Sequence, residues 1–112
     1  MEFEISIDER AEDYSIISVR GEIDLHTAPK FETVMERVAG DGFQTVVVDM
    51  SSVSFMDSTG LSALMRARDY LEERDVSFRL VSPSHAVDRI FSVTGFQDYF
   101  EIFPSREDAI SH

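Results

Sequence analysis

The chain has 112 residues, 43% of them apolar, and carries 22 acidic against 10 basic side chains, a formal charge of −12, with no cysteine. That length supports one domain, residues 1–112, with a modest core; the lack of Cys removes disulfides, thiolate catalysis and sulfur-ligated metals. Scattered Lys and Arg argue against nucleic acid, the acid surplus argues against docking on an anionic membrane, and no apolar run approaches the roughly 20 residues of a membrane span.

The N-terminal MEFEISIDER is acidic and alternating, so it reads as neither a signal nor a transit peptide, and the expected compartment is the cytoplasm. Phe3, Ile5 and Ile7 alternate with polar residues as in a strand with one solvated face. Asp8, Glu9, Glu12 and Asp13 are assigned to a solvated hairpin turn, after which Tyr14 to Arg20 forms an antiparallel partner strand ended or bent by Gly21 and Asp24. Thr27 is expected to cap a helix with Ala28 and Pro29 in its first turn, where the missing N–H of Pro does no harm. Phe31, Val34, Met35 and Val38 form the buried stripe of that helix, and Gly40-Asp41-Gly42 ends it.

Thr45 to Met50 (TVVVDM) is a β-branched run with too little polarity for a one-faced sheet, and so reads as a central strand. Leu61, Leu64, Met65 and Leu71 then recur at helical spacing, which predicts a helix from about Ser58 to Arg74. Ser77 to Val81 reads as a fourth strand. A helix from Ser84 to Gly95 carries Val87, Ile90 and Phe91. Tyr99 to Phe103 is a short edge strand, and Ser105 begins a final acidic helix. The sum is an α/β domain: a mostly parallel four- to five-stranded sheet with an antiparallel N-terminal strand and about four helices, joined by right-handed crossovers.

Ligand sites in such sheets gather at the carboxyl ends of the strands. Asp24 and the cluster Asp57, Ser58, Thr59 and Gly60 should therefore share one edge. Hydroxyl and carboxylate side chains before a helix are most often caps, worth about 1 kcal/mol. The same place, with unpaired N–H groups and the positive end of the helix dipole, also suits a phosphate. No Glu or Gln follows three residues after Asp57, Ser58 or Thr59, so no reciprocal capping box forms. Gly60 lowers helix propensity and is read as keeping the surface bare for a close approach. These residues alone leave capping and modification both open. A Ser nucleophile would need a positioned base; only His26 of the three histidines is placed near, and it reads as a loop residue, while His26, His85 and His112 have no metal-ligand spacing. No phosphate-binding Gly-rich loop with Lys occurs, so neither an enzyme nor a cofactor site is expected.

FMDSTGLSAL, Phe55 to Leu64, resembles the phosphorylation-site motif of the bacterial anti-sigma factor antagonists, founding members of the STAS domain family. Three further blocks fall in register with that family: Gly21-Glu22-Ile23-Asp24-Leu25 with Thr27-Ala28; Val46 to Met50 with Val53-Ser54-Phe55 as strand and approach loop; and Leu80 to Ser84 with Val87, Ile90, Phe91, Thr94 and Gly95. The resemblance implies partner switching. The unphosphorylated antagonist binds an anti-sigma factor that is also a serine kinase and thereby releases a sigma factor. Phosphorylation ends the complex, and a serine phosphatase restores it. Carried over, Ser58 is the phosphoacceptor; Asp24, Asp57, Thr59 and Gly60 line the docking edge, extended along the helix by Ser62 and Arg66. Two alternatives stand beside it: a STAS scaffold or sensor that is never phosphorylated, and a receiver-like domain with Asp57 or Asp49 as acceptor. The second needs an acidic pair at the end of the first strand and a Lys near the last one, but Asp8-Glu9 is read in a hairpin turn instead and no Lys follows Lys30.

The charge of −12 permits fast capture by a basic protein surface, beyond its ordinary effect on solubility. The expected partner presents a basic docking face, and the association rate falls as salt rises. Stopped-flow rates that stay flat between low and physiological salt would remove this electrostatic argument.

Overall fold

The alternation Ile16, Ile17, Val19 and the run Val46-Val47-Val48 set the architecture, because neighbouring residues of a strand face opposite sides of a sheet. In the computed structural model, which describes residues 2–81 and 83–111, Ile17, Val19, Val46 and Val48 join the main core, while Ile16 and Val47 join a smaller cluster on the other face. Ser82 of the fourth sequence block and His112 lie outside the described residues.

Five strands, β1 (Phe3–Arg10), β2 (Tyr14–Ile23), β3 (Thr45–Met56), β4 (Ser77–Val81) and β5 (Glu101–Phe103), lie side by side in that order. β1 and β2 are antiparallel; β2, β3, β4 and β5 are parallel. Helices α1 (Ala28–Ala39), α2 (Ser58–Glu72) and α3 (His85–Thr94) bury Phe31, Met35, Leu61, Leu64, Leu71, Val87 and Phe91 in the main core. The short α4 (Arg106–Ser111) sets Ala109 against Ile16, Val47 and Val81 on the opposite face. The order is the α/β sheet expected, with its antiparallel N-terminal pair and four helices.

Several boundaries move. β3 does not end at Met50: Val53 and Met56 continue to face inward and pair with Gly21 and Ile23, so the expected approach loop Val53-Ser54-Phe55 is strand. The polar Ser51, Ser52 and Ser54 had masked it because they are exposed. β2 likewise runs through Gly21, whose φ of +97° accompanies a shift in register, to Ile23. Asp8 and Glu9 belong to β1, where the pairing bulges between Ile7 and Glu9, and the hairpin turn is shorter than expected. α2 stops at Glu72, two residues before the expected Arg74. Phe96–Tyr99 forms a 3-10 turn, which shortens β5 to Glu101–Phe103.

One ion cluster ties α4 across the sheet. Arg106 donates from Nε to Asp49 of β3 at 2.9 Å and from Nη2 to Asp8 of β1 at 2.8 Å. Partial burial pushes the Asp49 carboxyl up, but the Ser51 N–H and hydroxyl and the Arg106 guanidinium together hold it below the usual carboxylate range. Asp8 is lowered in the same way, its desolvation offset by bonds from Arg106, Ser6 and Ser18. A carboxyl depressed in the folded state adds stability above its unfolded pKa of about 3.9, and that stability is lost as pH falls through the folded value. Arg106→Met should therefore destabilise the protein by about 1–3 kcal/mol at neutral pH. The difference should shrink toward zero in strong acid. Urea melts of both proteins from pH 7 to pH 2 check this, and equal midpoints at pH 7 would sink it.

Candidate functional site

The pairing of Ile23 with Met56 brings the ends of β2 and β3 abreast, so Asp24 and Asp57, the next residue of each chain segment, leave the sheet at one edge. The first turn of α2 sits directly on this junction. Gly60 makes that seat possible: a Cβ there would fall inside the van der Waals shell of the Ile23 carbonyl oxygen and 2.7 Å from Met56 Cγ. Gly60 is accordingly buried. It serves close packing within the chain, where the sequence reading had it baring the surface to another molecule.

The cap of α2 is Asp57, not a hydroxyl. Its Oδ1 accepts the Gly60 N–H at 3.0 Å, from an extended backbone at φ −106° and ψ −171°. Ser58 is the first helical residue. It is exposed, and among the described residues its Oγ has no hydrogen-bond partner. Thr59 is half-buried one position on. Ser62 and Arg66 follow Ser58 at four-residue intervals, so the three form one exposed stripe of α2. Arg66 is occupied: Nε and Nη2 donate to the two carboxylate oxygens of Glu32 in α1 at 2.8 and 3.2 Å.

Asp24 turns inward. It is 7% exposed, and its Oδ1 accepts the backbone N–H groups of His26 at 2.9 Å and Thr27 at 3.2 Å. Thr27 replies by accepting the Asp24 N–H at 2.9 Å, while its own hydroxyl donates to the Glu22 carbonyl at 2.7 Å. The expected role of Thr27 as a helix cap is thus corrected: it stands at the start of α1 with no side-chain capping bond, because its oxygen closes the loop behind it. This closed loop holds Leu25 outward at 69% exposure, beside an exposed His26.

Leu25 and Phe55, 46% exposed, are two large apolar side chains on the edge that periodicity did not single out. Phe55 lies where β3 has run beyond its pairing with β4. The signal available was a Leu between Asp and His in a loop, and a Phe in an otherwise polar stretch before Asp57. Among the described residues no group of three His, Asp or Glu could hold a metal, and no helix is long and apolar enough to cross a membrane.

The STAS domain model matches residues 4–109. The anti-sigma-B factor antagonist of Staphylococcus epidermidis is 31% identical over 91 residues, 81% of this chain and 84% of that protein. That of Staphylococcus aureus strain NCTC 8325 is 31% identical over 86 residues, 77% of this chain and 80% of that protein. The crystal structure of an anti-sigma factor antagonist from Mycobacterium paratuberculosis superposes with a TM-score of 0.81 at 32% identity, covering 96% of this chain and 92% of that one.

Gly60→Ala separates propensity from packing. In an open helix the change would stabilise by up to about 1 kcal/mol. Here the new methyl meets backbone, and overpacking of this kind costs about 1–3 kcal/mol. The expected result is a lower melting temperature; a higher one would show that α2 does not sit on Ile23 as described.

Proposed function

The chain belongs to the STAS domain family, alongside the bacterial anti-sigma factor antagonists, and from that premise we propose that its unphosphorylated form binds an anti-sigma factor that is also a serine kinase, releasing a sigma factor until Ser58 is phosphorylated. A serine phosphatase acting on phospho-Ser58 resets the protein. The kinase and phosphatase supply the chemistry, and this chain supplies the surface and the acceptor, in the cytoplasm and with no cofactor of its own. The domain spans residues 1–112.

The observation that carries the reading is the unemployed hydroxyl of Ser58. Asp57 already caps α2, so Ser58 is exposed at the first helical position with no bond to lose. A residue that the fold does not use is available to a kinase, and its modification need not unfold the domain. Phosphate at this place adds about −1.5 to −2 charge where helix N–H groups and the dipole tolerate it. On the docking edge it meets a partner face that had fitted a hydroxyl, and repulsion with desolvation can remove several kcal/mol of affinity.

The edge divides its labour. Asp24, Asp57 and Gly60 shape it, through loop closure, capping and close packing. Ser58, Thr59 and Ser62 face the partner, with the Arg66–Glu32 pair at the far end and the exposed Leu25 and Phe55 as apolar anchors. Thr59 is half-buried and β-branched, which makes it the poorer acceptor of an in-line phosphoryl transfer.

Ser58→Ala should fold with stability within about 0.5 kcal/mol of wild type, since no cap is lost. It should bind the host's anti-sigma factor normally and stay bound when ATP is added. Ser58→Glu should fold as well and bind about tenfold or more weakly. Titration calorimetry, with mass-spectrometric mapping after reaction with kinase and ATP, checks both points. Equal affinity of wild type and Ser58→Glu, or phosphate mapped mainly to Thr59 or Ser62, would overturn the assignment.

A further inference from the structure

A second feature of the same edge lies on the other side of Phe55. β3 pairs with β4 only from Thr45 to Asp49, and α3 lies alongside its remaining half. Between them is an open groove of about 400 Å³, lined by Phe55, Met56, Arg89, Ile90 and Val93. Phe55 is 46% exposed and Val93 79% exposed. Both line the one groove, so its apolar surface faces water.

Arg89 gives the groove a sign. The chain holds 22 acidic side chains and 10 basic ones, and most of the bases are engaged. Arg10, Arg20, Arg66, Arg68, Arg79 and Arg106 stand in ion pairs, and Arg74 donates to the Tyr70 carbonyl and stacks on its ring. Among the described residues Arg89, exposed, has no ion-pair partner; Lys30 and Arg37 of α1 have none either, but of the three only Arg89 lines this groove. Its helix offers Arg89 no partner, because His85, Ala86, Ser92 and Val93 occupy the positions three and four residues away. A free cation at the rim of an apolar groove, on a strongly acidic protein, is complementary to a carboxylate carried by an apolar segment.

We propose that this groove takes an apolar side chain of the anti-sigma factor, with a carboxylate of the same segment paired to Arg89. The inference rests on the switch reading above, since the occupant is the partner that meets Ser58. Position favours that occupant: Phe55 and Met56 immediately precede Asp57 and Ser58, so a protein seated on Ser58 is already at the mouth of the groove. Charge favours it over a second copy, because two chains of −12 repel. A basic partner with one local carboxylate is drawn by the overall field and set in register by Arg89.

Arg89→Glu and Val93→Lys alter exposed side chains and should leave the melting temperature unchanged. Titrated as the purified unphosphorylated protein against the host's anti-sigma factor, each should weaken binding by about tenfold. Reversing the partner carboxylate that faces Arg89 to Lys should restore the Arg89→Glu complex. If wild type binds and Ser58→Glu weakens it, yet both groove variants bind like wild type, the groove assignment is overturned and the switch reading stands. If wild type does not bind, both fall. If the variants change self-association in sedimentation and leave the heterocomplex unchanged, the groove belongs to a second copy and the proposal fails.

Discussion

The seat of α2 on the last residue of β2 is the contact on which the whole edge depends. Without a side chain at Gly60, the first helical turn lies against the Ile23 carbonyl and the Met56 side chain. That single close approach fixes the helix start relative to two strands at once, since Ile23 and Met56 are themselves paired. Asp24 and Asp57 are then brought abreast, and each carboxylate is turned to backbone N–H groups of its own segment. Two acids brought to one edge each serve to hold a loop or a helix start. What they hold outward is Ser58 from one and Leu25 from the other.

The order of elements was legible because periodicity and β-branched runs report burial, and burial decides the layers. Val46-Val47-Val48, all inaccessible, could only belong to a sheet covered on both faces. Ser84 and Gly95 announced the ends of α3 correctly, the one accepting the Val87 N–H and the other taking a left-handed φ of +77°. The failures share a cause. The second half of β3 is polar because its outer face is solvated and it lacks β4 as a neighbour, so nothing in Ser51-Ser52-Val53-Ser54 separates strand from loop. Thr27 had a capping residue's chemistry and position, but a tertiary demand, the Glu22 carbonyl, claimed its hydroxyl.

The site was legible to a different depth. Topology placed Asp24 and Asp57 on one edge, as the Ile23–Met56 pairing does, while Ser58 as acceptor rested on the resemblance of its motif to that of the antagonists. The division of the site into shaping and presenting residues was not legible, because that turns on where each side chain points. Asp24 and Leu25 are adjacent in sequence, yet one is buried and the other mostly exposed. Arg89 is a further case. Its significance comes from its place at the groove together with the ion pairs that engage most other bases, a property of the folded chain and of no local motif.

The charge balance constrains how a phosphate on this edge can act. A basic partner is attracted by the field of the whole chain, −12 before modification. Phosphorylation makes that field more negative by about −1.5 to −2, so the long-range attraction, already screened beyond a Debye length, is not weakened by it. Any loss of binding must arise at contact, from the volume of the phosphate and the desolvation of its oxygens against groups chosen for a hydroxyl. That demands a surface around Ser58 that holds its shape. The helix start is capped and seated on backbone, and the neighbouring loop between β2 and α1 is tied by four hydrogen bonds between Glu22, Asp24, His26 and Thr27. In the proposed switch, rigidity at the edge is what would turn a small change in total charge into a large change in fit.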